Sequence, residues 1–308
     1  MRRQGFVLLA VLWILVAGEA IALALTLACR RATLAALNRS AIDRASWQAE
    51  GCAQRTRAVI GSVLQPRTVS DEPSAFSWST LDSAVMIAFD GDSADCSIAL
   101  EPTGTTIDVN TADRATLERL FIGLGLTAAA ADSDARAILY WRAPRDSGDT
   151  SDMVGEWYRA HGRAEPRHGP FAAIREVARL RGLESLAGID SVLGVDGSRI
   201  LVARAPLVVL SALPGFGAEA VARVATYRAT TGQVPNLATI NSALSPPSHD
   251  SLDAHYAQLA AMTTDVPDAW ILISRGGAQL PPVRVILEIE LRRDGTRAAV
   301  VRRRTWLE

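Results

Sequence analysis

Lysine is absent from this chain. All 32 basic residues are arginine, set against 33 acids for a formal charge of −1 over 308 residues. So even a balance gives no overall electrostatic case for nucleic acid or an acidic partner. The arginine bias itself reads as coding preference and carries no functional weight. Charge is also low, at 21% against 49% hydrophobic residues, which excludes a disordered chain and leaves ample apolar material for a core. The length allows roughly one to three domains. Cysteine is scarce: Cys29, Cys52 and Cys96 form no CxxC or Cys/His cluster, which excludes a zinc-type centre. The four histidines, His161, His168, His249 and His255, stand in polar, loop-like contexts, and no serine occupies a nucleophile elbow. Asp250-Ser-Leu-Asp253-Ala-His255 can be drawn as an acid–histidine pair, but a polar helix face explains it without a mechanism. No enzyme is expected.

What is present begins at the N-terminus. Met1-Arg-Arg-Gln-Gly5 precedes an apolar run from Phe6 to Ala28, interrupted by one acid, Glu19. As a helix the run spans roughly 34 Å, enough to cross a bilayer core of about 30 Å. A secretory signal would place a small-residue cleavage site after the run. The nearest one, Ala28-Cys29, leads straight into Arg30-Arg31, whereas Gly5/Phe6 before the run is the better-marked junction. Arg2 and Arg3 favour a cytoplasmic N-terminus with the bulk of the chain on the far side; Arg30 and Arg31 oppose this weakly. In an exported location Cys52 and Cys96 are the available disulfide pair, the alternative being that each is an unpaired, buried small hydrophobe.

No proline interrupts the chain between Phe6 and Pro66. Beyond the apolar run, Ile42, Ala45, Ala49, Cys52, Val59, Ile60 and Val63 recur at helical steps, so one helix is expected from Phe6 to about Leu64. Gln65 to Ser74 reads as a linker. Short segments at 75–78, 84–89 and 96–100 read as strands. Near the other end, Val283, Val285, Leu287, Ile289 and Leu291 alternate with polar residues, and Asp294-Gly295 turns the chain into a strand from Arg297 to Trp306. Between these groups lies an alanine-rich helical stretch that repeats internally. Ile107-Asp-Val-Asn-Thr-Ala112 through Leu120 matches Ile200-Leu-Val-Ala-Arg-Ala205 through Leu213, followed by Gly123-Leu-Gly125 and Gly215-Phe-Gly217 after a slip of one residue. Gly169 to Ile174 and Gly232 to Leu237 each precede a further short helix.

A basic leader, a glycine, an aromatic residue and an apolar helix resemble the class III leader of type IV pilins and type II secretion pseudopilins. The resemblance implies cleavage after Gly5 by a prepilin peptidase and methylation of Phe6. Those families usually carry a glutamate at the fifth mature position, understood to face a neighbouring subunit's N-terminal amine; here Ala10 stands there. The member that lacks this acid is minor pseudopilin K, which sits at the filament tip with no subunit beyond it. The resemblance to that family extends along the chain through Val109-Asn-Thr-Ala112, Tyr140-Trp-Arg142, Gly155-Glu-Trp-Tyr158, Gly169-Pro-Phe171 with Glu176, and Leu213-Pro-Gly215. It departs at Ala203-Arg-Ala205 and at Ala143, where the family has an acid.

The fold class implied is α+β: a long N-terminal transmembrane helix packed on an antiparallel pilin-like sheet, with a large, mostly helical, helix-hairpin-helix or SAM-like inserted domain. The expected boundaries are a leader at 1–5, the transmembrane half of the helix at 6–28, its periplasmic half at 29–65, the first part of the pilin-like domain at 66–109, the insertion at 110–266 and the closing strands at 267–308. The family role implied is pseudopilus assembly at the bacterial inner membrane, with I-type and J-type minor pseudopilins and the assembly platform as partners. Glu19 is expensive at its depth unless paired, the alternative being a thin or hydrated part of the assembly, and with Ala10 it makes up the candidate assembly positions. The loop carrying Asp146, Asp149, Asp152 and Glu156 gathers oxygen ligands of the kind calcium takes. Its spacing is not that of an EF-hand, and a solvated acidic loop is the bland alternative. No cofactor is expected to be required. The glycine hairpins also resemble DNA-binding helix-hairpin-helix units, so a competence-type minor pilin or a membrane-anchored nucleic-acid binder is the alternative. The residues after both hairpins, Leu126 to Asp132 and Ala218-Glu219, supply none of the basic groups that phosphate binding needs.

Overall fold

The computed structural model describes residues 4–65, 75–89, 97–144, 153–184, 186 and 188–308. One helix, α1 (Gln4–Leu64), runs without a break. Its last third is amphipathic by small residues: Ala41, Ala45, Ala49, Cys52, Ala53, Thr56, Ile60 and Leu64 are all buried at steps of one, three or four, while Ile42, Val59 and Val63 flank them half-buried.

That face packs on a four-stranded antiparallel sheet of order β1 (Ser97–Pro102), β6 (Ala269–Gln279), β7 (Pro282–Asp294) and β8 (Arg297–Leu307). Period-two alternation places Val285, Leu287, Ile289 and Leu291 of β7 against α1. On the opposite face Glu290 is buried as well, held by Arg302 at 3.2 Å and Arg292 at 3.1 Å. The β7–β8 register shifts once, between Glu290 and Leu291, which leaves Val301 as the extra residue on the edge strand.

Helix and sheet touch backbone to backbone. A Cβ on Gly276 of β6 would fall inside the Ala45 carbonyl oxygen and 2.6 Å from the Ala49 nitrogen. The Ser274 hydroxyl donates to Ala49 O at 2.7 Å, and the Gly277 amide donates to Gln48 Oε1 at 2.9 Å. Cys52, on the same helix face, is disulfide-bonded. Cys29 is free, and the remaining cysteine, Cys96, lies outside the described residues.

Two expected strands are helices. Residues Ala75–Ser79 (α2) and Leu81–Phe89 (α3) are helical, and the period explains it: Leu81, Val85 and Phe89 are buried at steps of four against α1. Only the third segment, now β1, is a strand. Two fully buried tryptophans lock this region to the sheet. The Trp78 indole donates to Pro267 O at 2.7 Å, and that of Trp270 donates to Trp78 O at 2.9 Å.

The helical insertion leaves the sheet after β1 and returns at β6, and those two strands are paired neighbours. Thr103 and Ala269 close the neck: the Thr103 amide donates to Ala269 O at 3.0 Å, and the Ala269 amide donates to Thr103 Oγ1 at 3.1 Å. Arg199 and Asp268 form a multidentate ion pair beside it. Because its ends lie side by side, the insertion can carry its own core, which is continuous from Ile107 to Leu259 and distinct from the cluster under α1.

The insertion consists of two related halves. The first holds β2 (Ile107–Asp108), α4 (Arg114–Gly123), α5 (Ala128–Arg142) and α6 (Met153–Ala160), and β2 pairs in parallel with β3 (Leu193–Gly194). The second holds β4 (Ile200–Leu201), α7 (Leu207–Ser211), α8 (Ala218–Thr230), α9 (Leu237–Ser242), α10 (Pro246–Asp253) and α11 (Tyr256–Met262), and β4 pairs in parallel with β5 (Thr263–Thr264). Replacing Gly276 by alanine should destabilise the helix–sheet unit by about 3 kcal/mol or more, since both clashing groups are backbone that cannot rotate away. Gly51→Ala, in open space on α1, should stabilise by about 0.5–1 kcal/mol. Thermal unfolding of the two variants checks the contrast.

Candidate functional site

The first half of α1 has nothing to pack against in this chain. From Val11 to Ser40 every residue is exposed, including Trp13 at 67% and Ile14 at 71%. Within the helix an 18-residue window reaches a mean hydropathy of 2.2 with none of it buried, so α1 is long and apolar enough to cross a membrane once. Local backbone bonding hides the hydroxyls along it: Thr26 donates to Ala22 O at 2.8 Å and Thr33 to Cys29 O at 2.9 Å. Glu19 is therefore the one carboxylate on the apolar face. Gly5, Phe6 and Ala10 lie on the same helical backbone.

Asp146, Asp149 and Asp152 fall outside the described residues, and Glu156 stands exposed on α6. Among the described residues no group of three or more acidic, histidine or cysteine side chains is placed to hold a metal ion.

The loose motifs of the first half converge on one structural purpose. Asn110 clasps Phe171 in both directions, its Nδ2 donating to Phe171 O at 3.1 Å and its Oδ1 accepting from Phe171 N at 2.7 Å. Phe171 stacks on Trp141 with ring centroids 6.1 Å apart, and Tyr158 meets Trp141 edge-on at 6.0 Å. Arg142 donates to Val109 O at 2.5 Å and Ala112 O at 2.6 Å. The second half repeats this staple. Arg228 donates to Val202 O at 2.6 Å and Ala205 O at 2.7 Å, the carbonyls of the matching positions. Burial draws both guanidinium groups below their ordinary pKa. The two arginines stand one turn apart along their helices, which hid the correspondence from the sequence.

The hairpin glycines pair differently from the sequence alignment. Gly125 and Gly215 are the equivalent positions: each has positive φ, +94° and +72°, and each lies three residues before the next helix. Gly123 instead lets α4 approach α7, where a Cβ would meet Val208 Cγ2 at 2.8 Å. The arginines near the hairpins are used internally, Arg119 on Ala212 O at 2.7 Å and Arg223 on Ala243 O at 2.8 Å. At the start of α8 stands an acid, Glu219, whose carboxylate accepts from the Ser245 amide at 2.9 Å and from its hydroxyl. An acid in the first turn of α8, tied to Ser245, puts negative charge near the helix N-terminus where a phosphate would dock.

No family model and no curated protein matches the sequence. Among solved structures, the chain is similar to one in the crystal structure of the GspK-GspI-GspJ complex from the enterotoxigenic Escherichia coli type 2 secretion system. The match has a TM-score of 0.58 at 12% identity and covers 86% of this chain and 96% of that one. The two chains share a fold. It is the α+β pseudopilin arrangement of a long apolar helix, an antiparallel sheet and a helical insertion, and at 86% coverage the likeness takes in both the helix–sheet unit and most of the insertion.

Hydrogen bonds from Ser245, foremost its hydroxyl, lower the Glu219 carboxyl from the ordinary 4.5 to about 2. A depressed acid stabilises fully above its unfolded-state value and loses that contribution as pH falls through its folded-state value. The Glu219–Ser245 link should therefore hold at neutral pH and open between about 4.5 and about 2. Hydrogen exchange at the Ser245 amide should accelerate across that window, relative to distant amides, in the native chain and show no such step in Glu219→Gln.

Proposed function

We propose that this protein is a K-type minor pseudopilin of a type II secretion system, placed at the tip of the pseudopilus and supporting its initiation and protein export across the outer membrane. The observation that carries the reading is the fold match to nearly the full length of a chain from the GspK-GspI-GspJ complex. The exposed apolar half of α1 supports it, because a bare hydrocarbon helix continuous with a folded head is the form of a subunit whose stem is shared between membrane and filament. I-type and J-type minor pseudopilins are the partners along that stem, with the inner-membrane assembly platform beneath. The protein is a single-pass inner-membrane protein with a cytoplasmic N-terminus and periplasmic bulk. Its work is assembly, not catalysis.

Two features favour an end position. A two-part helical insertion rooted at the Thr103–Ala269 neck adds bulk beside the sheet, which a regular helical array would have to exclude. Ala10, in turn, offers no acid to a subunit above it. Glu19 lies roughly 20 Å along the helix from Phe6. Its charge in hydrocarbon calls for a cationic or hydrogen-bonding group on a neighbouring stem.

Expressed with a prepilin peptidase, the mature chain should begin with N-methylated Phe6 by mass spectrometry; an intact Met1 or a cut after Ala28 would sink the reading. Glu19→Leu should lower detergent co-purification with I-type and J-type partners by on the order of tenfold, reflecting the loss of a paired charge within the bilayer. Undiminished recovery would remove the pairing role and leave the rest standing.

A further inference from the structure

A cavity of about 630 Å³ opens on the insertion between α5 and α6, within the size range of small-ligand sites. Tyr140, Trp157, Tyr158 and Pro166 line it together with Asp134. Asp134 is only 6% exposed, yet its carboxylate meets no hydrogen-bond donor and no cation among the described residues. The space around it is preserved by Gly182, where a Cβ would run into Asp134 Oδ1. Buried carboxylates are normally paired, because an unpaired charge in a low-dielectric site is costly.

We propose that this cavity binds a basic side chain of a protein partner, an ammonium or guanidinium on an aliphatic stem, with Asp134 as its counter-ion. The neighbouring charges leave that role open. Arg136 at the rim is engaged by Asp132, Arg163 by Glu184, and Arg181 lies over the Trp157 ring at 4.8 Å from its centroid. None of them reaches Asp134. Burial, with a smaller contribution from Glu184, holds the Asp134 carboxyl above the usual carboxylate range, a penalty that an incoming cation relieves. The stem of such a side chain lies along the aromatic walls while its head forms charge-assisted hydrogen bonds with Asp134. Arg181 at the mouth favours a partner that is neutral or acidic beside the inserted residue. The site is independent of the membrane stem and does not rest on the pseudopilus assignment.

The test uses the full chain in detergent, titrated with N-acetyl-arginine amide and followed by saturation-transfer NMR and tryptophan fluorescence. Saturable binding with Kd on the order of 1 mM is expected, weakened about tenfold or more for the neutral citrulline analogue and for Asp134→Asn. Asp134→Asn removes an unpaired buried charge and should fold at least as well. Ala137→Phe, which fills the cavity with Asp134 in place, should abolish binding by a second route. Absence of saturable binding, equal binding of the citrulline analogue, or retention in Asp134→Asn overturns the proposal. Tighter binding of free arginine than of its blocked amide overturns the protein-partner assignment in favour of a free amino acid.

Discussion

The backbone-to-backbone contact between α1 and β6 is the constraint on which the rest of this molecule depends. At Gly276 of the strand, opposite Ala45 and Ala49 of the helix, no side chain separates the two backbones, so the Ser274 hydroxyl can reach a helix carbonyl and the Gly277 amide can reach Gln48. At this distance a methyl group is a wedge. The close approach fixes which face of β6 points inward and therefore the alternation of β7, which delivers Val285 to Leu291 to the helix. It also anchors a helix whose other half is exposed, in one unbroken element continuous with the apolar stem.

The insertion is a second solution to burial, built twice. Each half starts from a short parallel strand pair, and each uses one arginine to tie two backbone carbonyls of its first turn to a later helix. The residues that carry the family resemblance in the first half, Asn110, Arg142, Tyr158 and Phe171, are engaged in this internal stapling. They account for why the insertion folds. Outside that stapling lie the exposed apolar half of α1 and the aromatic-walled cavity lined by Asp134.

The expected strands at 75–78 and 84–89 show where reading by pattern fails. Ala84 to Phe89 is a short apolar run, and such runs have no decisive period of their own. What decides the matter is the neighbour: a helix lying on α1 can bury Leu81, Val85 and Phe89 on one side. The glycine hairpins failed in another way. Matching letters placed Gly123 opposite Gly215, whereas backbone conformation pairs Gly215 with Gly125, because φ and not residue identity defines the turn.

By itself the sequence determined the long helix, the closing hairpin, the presence of a helical insertion between the strands and the apolar stem with its solitary acid. These are local properties, written in periods of 3.6 and 2 and in uninterrupted hydrocarbon. Tertiary structure alone decided the contact of Gly276 with α1, the closing of the neck by Thr103 and Ala269, the repeated arginine staples and the approach of Gly182 to Asp134. Each of these joins groups that are distant in the chain, and no local pattern encodes which distant groups will meet.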